Sequence, residues 1–305
     1  MKRRYVVVTP ARNEEDTIGK TCASMVAQTI PPAQWVIVND GSTDATREIV
    51  ASYAREHPWI RLKDREDRGF RQLGAGVVHA FDEGFAASDV PDWDFVVKLD
   101  ADLSFEPDYF ENMLGRFERN PRLGIASGKT FLPQPDGGKK LEWCHDEHVR
   151  GPAKMYSREC FEAIGGLEAV RGWDMIDETR AQMQGFETWS FLEEELIHHR
   201  PIDGRQERVL RSRFDMGRLY HYLGYHWLYL LVRSLRSAVQ DYPRGIGGLL
   251  LFAGWHWAFL RREPRYDADF VAFVQKKQRA RMSFAQLGEY VRSLRPGAAH
   301  HARPR

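Results

Sequence analysis

Phe95-Val96-Val97-Lys98-Leu99-Asp100-Ala101-Asp102 is an apolar run that stops at two carboxylates one residue apart. Such a run, bounded by polar residues, reads as a buried strand and places Asp100 and Asp102 where that strand leaves its sheet. Residues two apart on an extended chain point the same way. Two ionised carboxylates facing one spot repel unless a cation lies between them. Hard oxygen ligands suit Mg2+ or Mn2+, which take one or two carboxylates plus a substrate's phosphates. A solvated strand-to-loop turn has the same composition, so the surrounding chain must decide between the two.

Upstream of this stretch, short apolar runs alternate with longer amphipathic segments. Residues 5–9, 35–39 and 59–63 read as strands, and residues 14–28, 43–56 and 72–87 as helices. Strand and helix alternating in this way predict an α/β fold with right-handed crossovers and a mostly parallel, Rossmann-like sheet flanked by helices. Ligands of such sheets sit off the carboxyl ends of the strands. Polar clusters occur at three of those ends: Thr9-Pro10-Ala11-Arg12-Asn13-Glu14, Asp40-Gly41-Ser42-Thr43-Asp44 and Asp100-Ala101-Asp102.

Each loop admits a chemical and a plain structural reading. Asp40 before Gly41-Ser42 accepts hydrogen bonds from a base or ribose, or else opens a tight turn with Ser42 or Thr43 as helix cap. Pro10-Ala11-Arg12-Asn13 offers amides at a helix start and a guanidinium, both suited to phosphate, or simple capping. Arg68-Gly69-Phe70-Arg71 faces a diphosphate or, with Asp64, Glu66 and Asp67 nearby, forms a solvated loop.

Composition narrows the class. The 305 residues are 43% hydrophobic and 12% aromatic, enough for a sizeable core. Lys and Arg outnumber acids 19 to 8 in residues 201–305, against 25 to 35 in residues 1–200, so an acidic body carries a basic tail. The basic residues are interleaved with long apolar runs rather than set around a polar groove, which argues against nucleic acid as a partner. Cys22, Cys144 and Cys160 are odd in number and lack Cys-x-x-Cys spacing, so neither disulfides nor zinc is expected and a reducing cytoplasm fits. The apolar run after Met1-Lys2-Arg3-Arg4 stops at Thr9-Pro10, too short for a signal peptide.

The ordered set Val8-Thr9-Pro10-Ala11-Arg12-Asn13-Glu14-Glu15, Val38-Asn39-Asp40-Gly41-Ser42-Thr43-Asp44 and Leu99-Asp100-Ala101-Asp102 resembles the family 2 glycosyltransferases, inverting enzymes of the GT-A fold. The resemblance covers roughly residues 4–200. It implies a nucleotide-diphosphate sugar donor, with Pro10, Arg12, Glu14 and Asp40 around the nucleotide and Arg71 near the phosphates. Asp100, Ala101 and Asp102 would meet the sugar nucleotide, with Asp100 and Asp102 on its divalent metal. The acceptor implied is a glycan or a lipid-linked saccharide. The segment from Val149 to Arg158, followed by Ile164-Gly165-Gly166-Leu167, is similar to the family's acceptor-side turn. His145, Asp146 and His148 precede it, either touching an acceptor or lying on loop surface.

Trp173-Asp174-Met175-Ile176-Asp177-Glu178 opens a helix that runs to Gln184. Asp174, Asp177 and Glu178 share one face of its first turns, a placement that the helix dipole also favours by itself. The family keeps its general base in a Glu-Asp pair at such a helix start. The resemblance puts Asp174 on the base position, with Trp173 in place of the usual Glu, and this departure leaves Asp177 as a competitor. In related enzymes a histidine near the end of the body completes the metal shell or contacts the diphosphate. Here the candidates are His198 and His199; on a strand only one of the two can aim at the site.

The expected organisation is a GT-A domain over residues 1–204, a helical basic and aromatic region over 205–295, and a disordered tail over 296–305. Residues 218–233 and 246–260 are apolar and aromatic between arginines. Fifteen helical residues span only ~22 Å against ~30 Å of bilayer core, too short to cross. Helices lying in a membrane interface fit this pattern, as does a helical subdomain or an oligomer interface. The expected enzyme is therefore a metal-dependent inverting glycosyltransferase, cytoplasmic and peripheral at the inner face of the cell membrane. A sugar-phosphate nucleotidyltransferase would need a Gly-x-Gly-x-Arg loop after its first strand. The remaining alternatives are a polyprenyl-phosphate glycosyltransferase and a non-catalytic nucleotide-sugar-binding scaffold.

Overall fold

Strands β1 (Tyr5–Ala11), β2 (Gln34–Asn39) and β4 (Phe95–Leu99) are buried almost end to end, as strands covered on both faces must be, while β3 (Ile60–Asp64) is half-exposed at the sheet edge. The computed structural model describes residues 4–66, 74–199, 206–240 and 243–282. Helices α1 (Ile18–Val26), α2 (Thr46–Glu56) and α3 (Ala75–Ala86) connect these strands, which run parallel in the order β3-β2-β1-β4. Strand residues alternate between two cores: Tyr5, Val7, Trp35, Ile37, Phe95 and Val97 face one, and Val6, Val8, Val36, Val38 and Val96 face the other. Helix α1 buries Ile18, Thr21, Cys22 and Met25, the spacing of a single helical face.

The second half of this unit comprises β5 (Leu103–Phe105), α4 (Tyr109–Arg119), β6 (Leu123–Pro133), β7 (Lys139–Leu141), β8 (Ala153–Ser157), α5 (Arg158–Ala163), α6 (Trp173–Met183) and β9 (Glu187–His198). The sheet reads β3-β2-β1-β4-β8-β6-β9-β5, with β7 on β6. The expected parallel arrangement holds for the first four strands. Beyond them the sheet is mixed, because β8 enters antiparallel between β4 and β6. The physical reason is local: β6, β7 and β8 follow one another without a crossover helix, so nothing imposes a parallel return.

The chain divides into two compact units, Met1–Ile202 and Asp203–Arg305. The second contains α7 (Gln206–Tyr222), α8 (Trp227–Gln240), α9 (Ile246–Leu260) and α10 (Ala268–Arg281). Helices α7 and α9 meet backbone to backbone: a Cβ on Gly217 would lie 2.0 Å from the Leu251 carbonyl, and one on Gly254 would lie 2.0 Å from that of Phe214. On its other side α9 exposes Ile246, Leu249, Trp257 and Leu260. Among the described residues, no helix is long and apolar enough to cross a membrane.

Candidate active site

The first two polar loops are stitched to each other. Asn13 donates its backbone N–H to Ser42 Oγ at 3.1 Å and accepts from the Thr43 N–H at 2.9 Å, and the Glu14 N–H reaches Thr46 Oγ1 at 2.7 Å. Ser42 and Thr43, expected as alternative caps, are thus spent on the neighbouring loop. Asp44 instead accepts the Thr46 N–H at 3.0 Å, and the helix starts three residues later than its pattern suggested. Glu14 also accepts the Thr17 hydroxyl at 3.1 Å. Pro10 is the sixth residue of β1, beside Val38 of β2. Arg12 donates to the Asp40 carbonyl at 2.6 Å, and the Asp40 N–H donates to the Ala11 carbonyl at 2.9 Å. Arg12 therefore braces the chain that carries Asp40. Arg71 lies outside the described residues.

Asp100 and Asp102 stand at the end of β4 as the sequence predicts. Asp102 is buried at 4% exposure, while Asp100 stays half-buried. Between them Ala101 turns its methyl into the core, and its carbonyl accepts the Thr21 hydroxyl of α1 at 2.9 Å. The same hydroxyl accepts the Leu103 N–H at 3.1 Å, so one buried threonine holds the turn from both sides. Lys98 ion-pairs with Asp100 and donates to the Gly151 carbonyl at 2.7 Å, while the Asp100 N–H donates to the Pro152 carbonyl at 2.7 Å. The Gly151-Pro152 turn is thereby drawn against the acidic rim.

That turn also passes beside α6. A Cβ on Gly151 would meet Asp174 Oδ2 at 3.6 Å, so Asp100 and Asp174 flank one turn of chain. Asp177 points elsewhere. It is 2% exposed, receives Lys154 at 2.7 Å and the Tyr156 hydroxyl at 2.5 Å, and burial pushes its pKa up to about 6 against the opposing charge of Lys154. Glu178 is buried as well, accepting the Val149 N–H at 2.6 Å and pairing with His148 at 2.9 Å. Asp146 pairs with Lys129 at 2.8 Å.

The adjacent histidines diverge. His198 Nε2 lies 3.3 Å from Asp102 Oδ2 and its Nδ1 lies 3.0 Å from Glu142 Oε2, with Arg150 2.9 Å from the same Glu142 oxygen. Burial draws the His198 ring down, but its bonds to Asp102 and Glu142 outweigh that and push its pKa up to about 10. Burial pushes Glu142 up; His198 and Arg150 reverse this and bring it down to about 2. His199 turns its Nε2 to Ser104 Oγ at 2.8 Å, and burial lowers its pKa. His198 is thus the histidine turned to the acidic rim, at Asp102, whereas His199 turns to Ser104.

Among the described residues, no group of three or more His, Cys, Asp or Glu is arranged to enclose a metal ion. The rim offers a pair of hard carboxylate oxygens, Asp100 and Asp102, one of them sunk into protein. This suits Mg2+ or Mn2+, which bind through one or two carboxylates and complete their shell with phosphate and water. The donor set fits such an ion when a diphosphate is present.

Sequence reading missed Thr21, Lys98, Glu142, Lys154 and Arg65, which pairs with Asp40 at 2.6 Å; all five hold the site residues in place. Lys98 and Lys154 did leave a signal, since each is a charged residue inside an otherwise buried strand. The others became visible only through contacts distant in sequence.

The sequence pattern described as glycosyl transferase family 2 matches residues 6–164. The chain belongs to glycosyl transferase family 2. Within it, the chain is 30% identical over 120 residues to the poly-β-1,6-N-acetyl-D-glucosamine synthase of Staphylococcus epidermidis, a match covering 39% of this chain and 27% of that protein. The Staphylococcus aureus protein of the same name is 29% identical over 120 residues, again covering 39% and 27%. The match thus spans about a quarter of the length of these relatives. Among solved structures, the mannosyltransferase PcManGT from Pyrobaculum calidifontis in complex with GDP-Man and Mn2+ superposes with a TM-score of 0.55 at 17% identity, covering 95% of this chain and 84% of that one. Residues 1–349 of TarS from S. aureus give 0.53 at 15% identity, covering 91% and 82%. The GT-A fold expected for this family 2 chain is therefore present, with a helical C-terminal part.

Proposed function

We propose that this family 2 chain transfers a sugar with inversion from a nucleotide-sugar donor to a hydroxyl of a nascent or lipid-linked glycan, working at a membrane surface. The observation that carries this is that Asp100 and Asp174 flank the same Gly151-Pro152 turn, an acidic strand end suited to a sugar diphosphate on one side and a carboxylate suited to act as a base on the other. The relatives named as polysaccharide synthases and the neighbour bound to GDP-Man and Mn2+ support the same class.

In this reading Asp40 meets the nucleotide, and Arg12 supports it from behind. Asp174 takes the acceptor hydroxyl proton as that oxygen attacks the anomeric carbon, an effect of about 10²–10⁴ in rate for a well-placed carboxylate. Asp177 stays in its buried pair with Lys154 and positions the helix start. A divalent ion held by Asp100 and Asp102 together with the diphosphate would offset charge on the leaving group. The membrane part rests on α9, whose exposed Ile246, Leu249, Trp257 and Leu260 recur at helical spacing between Arg244 and Arg261.

The test is slow donor hydrolysis by the purified chain with UDP-, GDP-, CDP- and dTDP-sugars, with Mn2+ or with a chelator. Metal-stimulated hydrolysis that Asp102→Asn abolishes while its melting curve is unchanged is the expected result. Absence of both binding and hydrolysis across the panel would end the proposal.

A further inference from the structure

The carboxylate of Asp174 is half-buried, and among the described residues it makes no hydrogen bond or ion pair of its own. A base must keep its oxygens open to the proton it takes, so its place has to come through the backbone. The start of α6 gives little hold by itself: Gly172 precedes it at φ 83°, and no side chain caps it. Lys154 of β8, fully buried, packs against that first turn instead. Its ammonium donates to the Asp174 carbonyl at 2.5 Å and to Asp177 Oδ1 at 2.7 Å, and lies 3.4 Å from Glu178 Oε1. An ammonium carries three N–H donors, which matches these three oxygens. Burial draws the Lys154 pKa down, but Asp177, Glu178 and Asp174 outweigh this and raise it, so the charge stays. The Trp173 ring lies 5.4 Å from the same ammonium, and a Cβ on Gly151 would touch that ring at 3.4 Å.

We infer that Lys154 positions the base for transfer: through the Asp174 carbonyl it fixes how the carboxylate stands against the Gly151 turn, and hence its gap to Asp100 on the turn's other side. This rests on Asp174 being the base, as proposed above, and adds the group that places it. Across the β4–β8 pair Lys154 faces Lys98, whose ammonium holds the Gly151 carbonyl at 2.7 Å and pairs with Asp100. Both ends of the site are thus tied to neighbouring positions of one strand pair. Their spacing matters because the attacking oxygen must line up with the bond that breaks, and a displacement of about 1 Å can cost about 100-fold in rate. Asp177 supplies the counter-charge that lets the ammonium stay buried. Lys154 is a positioning residue: it touches neither donor nor acceptor and acts only through Asp174.

The test is donor hydrolysis by the full chain with UDP-, GDP-, CDP- and dTDP-sugars and Mn2+. Water stands in for the acceptor: its proton goes to Asp174, its oxygen bonds the anomeric carbon, and the nucleoside diphosphate leaves with the bonding pair. Lys154→Met with Asp177→Leu removes the buried pair without stranding a charge. This double variant should lose about 10- to 100-fold in kcat at an unchanged donor KM. Added to Asp174→Asn, the same two substitutions should cost nothing further, whereas a merely structural role would slow both backgrounds alike. Lys154→Met with Asp177→Asn, which keeps a partner for the Tyr156 hydroxyl, replaces the double variant if that one does not fold. A native kcat in a folded variant, or an equal fall in both backgrounds, would overturn the inference while leaving the base in place. Hydrolysis by Asp174→Asn at the native rate would instead remove the base assignment, and this inference with it.

Discussion

Lys98 and Lys154 stand opposite each other across the antiparallel pair β4–β8, and each ammonium lies 5.4 Å from the centre of the Trp173 ring. Like charges facing across a sheet repel, and this pair persists because each is answered by a carboxylate, Asp100 for one and Asp177 for the other. An aromatic face attracts both cations without adding a third carboxylate that would compete for them.

The Lys154–Asp177 pair is fully enclosed, so Lys154→Met leaves a buried carboxylate without its cation. Urea denaturation at neutral pH should show a loss of about 3–5 kcal/mol. The double variant Lys154→Met with Asp177→Leu should recover much of it.

Asp174 and Asp177 separate by readout. Asp174→Asn should lower the transfer rate by about 10²–10⁴ at unchanged stability if the side chain abstracts the proton as proposed. Asp177→Asn should lower the melting temperature first. If the acceptor were instead an already ionised lipid phosphate, both variants would transfer at close to the native rate, and steady-state assays distinguish the two outcomes.

His198 and Glu142 make metal-free stability depend on pH from both sides. The folded-state pKa of His198 is raised from 6.5 to about 10, so its contribution is complete below 6.5 and is lost as pH rises through about 10. Glu142 is lowered from 4.5 to about 2, so its contribution is complete above 4.5 and is lost as pH falls through about 2. Chemical denaturation across pH 6 to 10, in chelator, should show falling stability. His198→Gln should flatten that slope.

Binding to vesicles tests the helical unit. The exposed apolar stripe of α9 with arginines beyond both ends should carry the full chain to vesicles containing anionic lipid, and Leu249→Glu with Leu260→Glu should release it. A native chain that stays in the supernatant would remove the membrane part of the proposal.

Much of the fold was legible because short buried runs and amphipathic spacings are local signals. Phe95–Leu99 is a strand with the bounds its apolar run suggested, and α6 begins at Trp173 as expected. The caps were misread at Ser42 and Thr43, since a turn residue takes whichever hydrogen-bond partner lies nearest, and here that partner, Asn13, is on another loop. The roles of Asp174 and Asp177 were equally open for a related reason. Helical spacing put both on one side of α6, but depth of burial depends on what β8 brings beneath them.

By itself the sequence determined the strand–helix order, the acidic end of β4 and the basic, apolar helical region, because hydrophobic periodicity and chain chirality act over a few residues at a time. Only the tertiary structure decided which charges meet: Lys98 with Asp100, Lys154 with Asp177, His198 with Asp102 and Arg65 with Asp40. Side-chain ion pairs form over a few ångströms of space, and that distance bears no relation to separation along the chain until the sheet has closed.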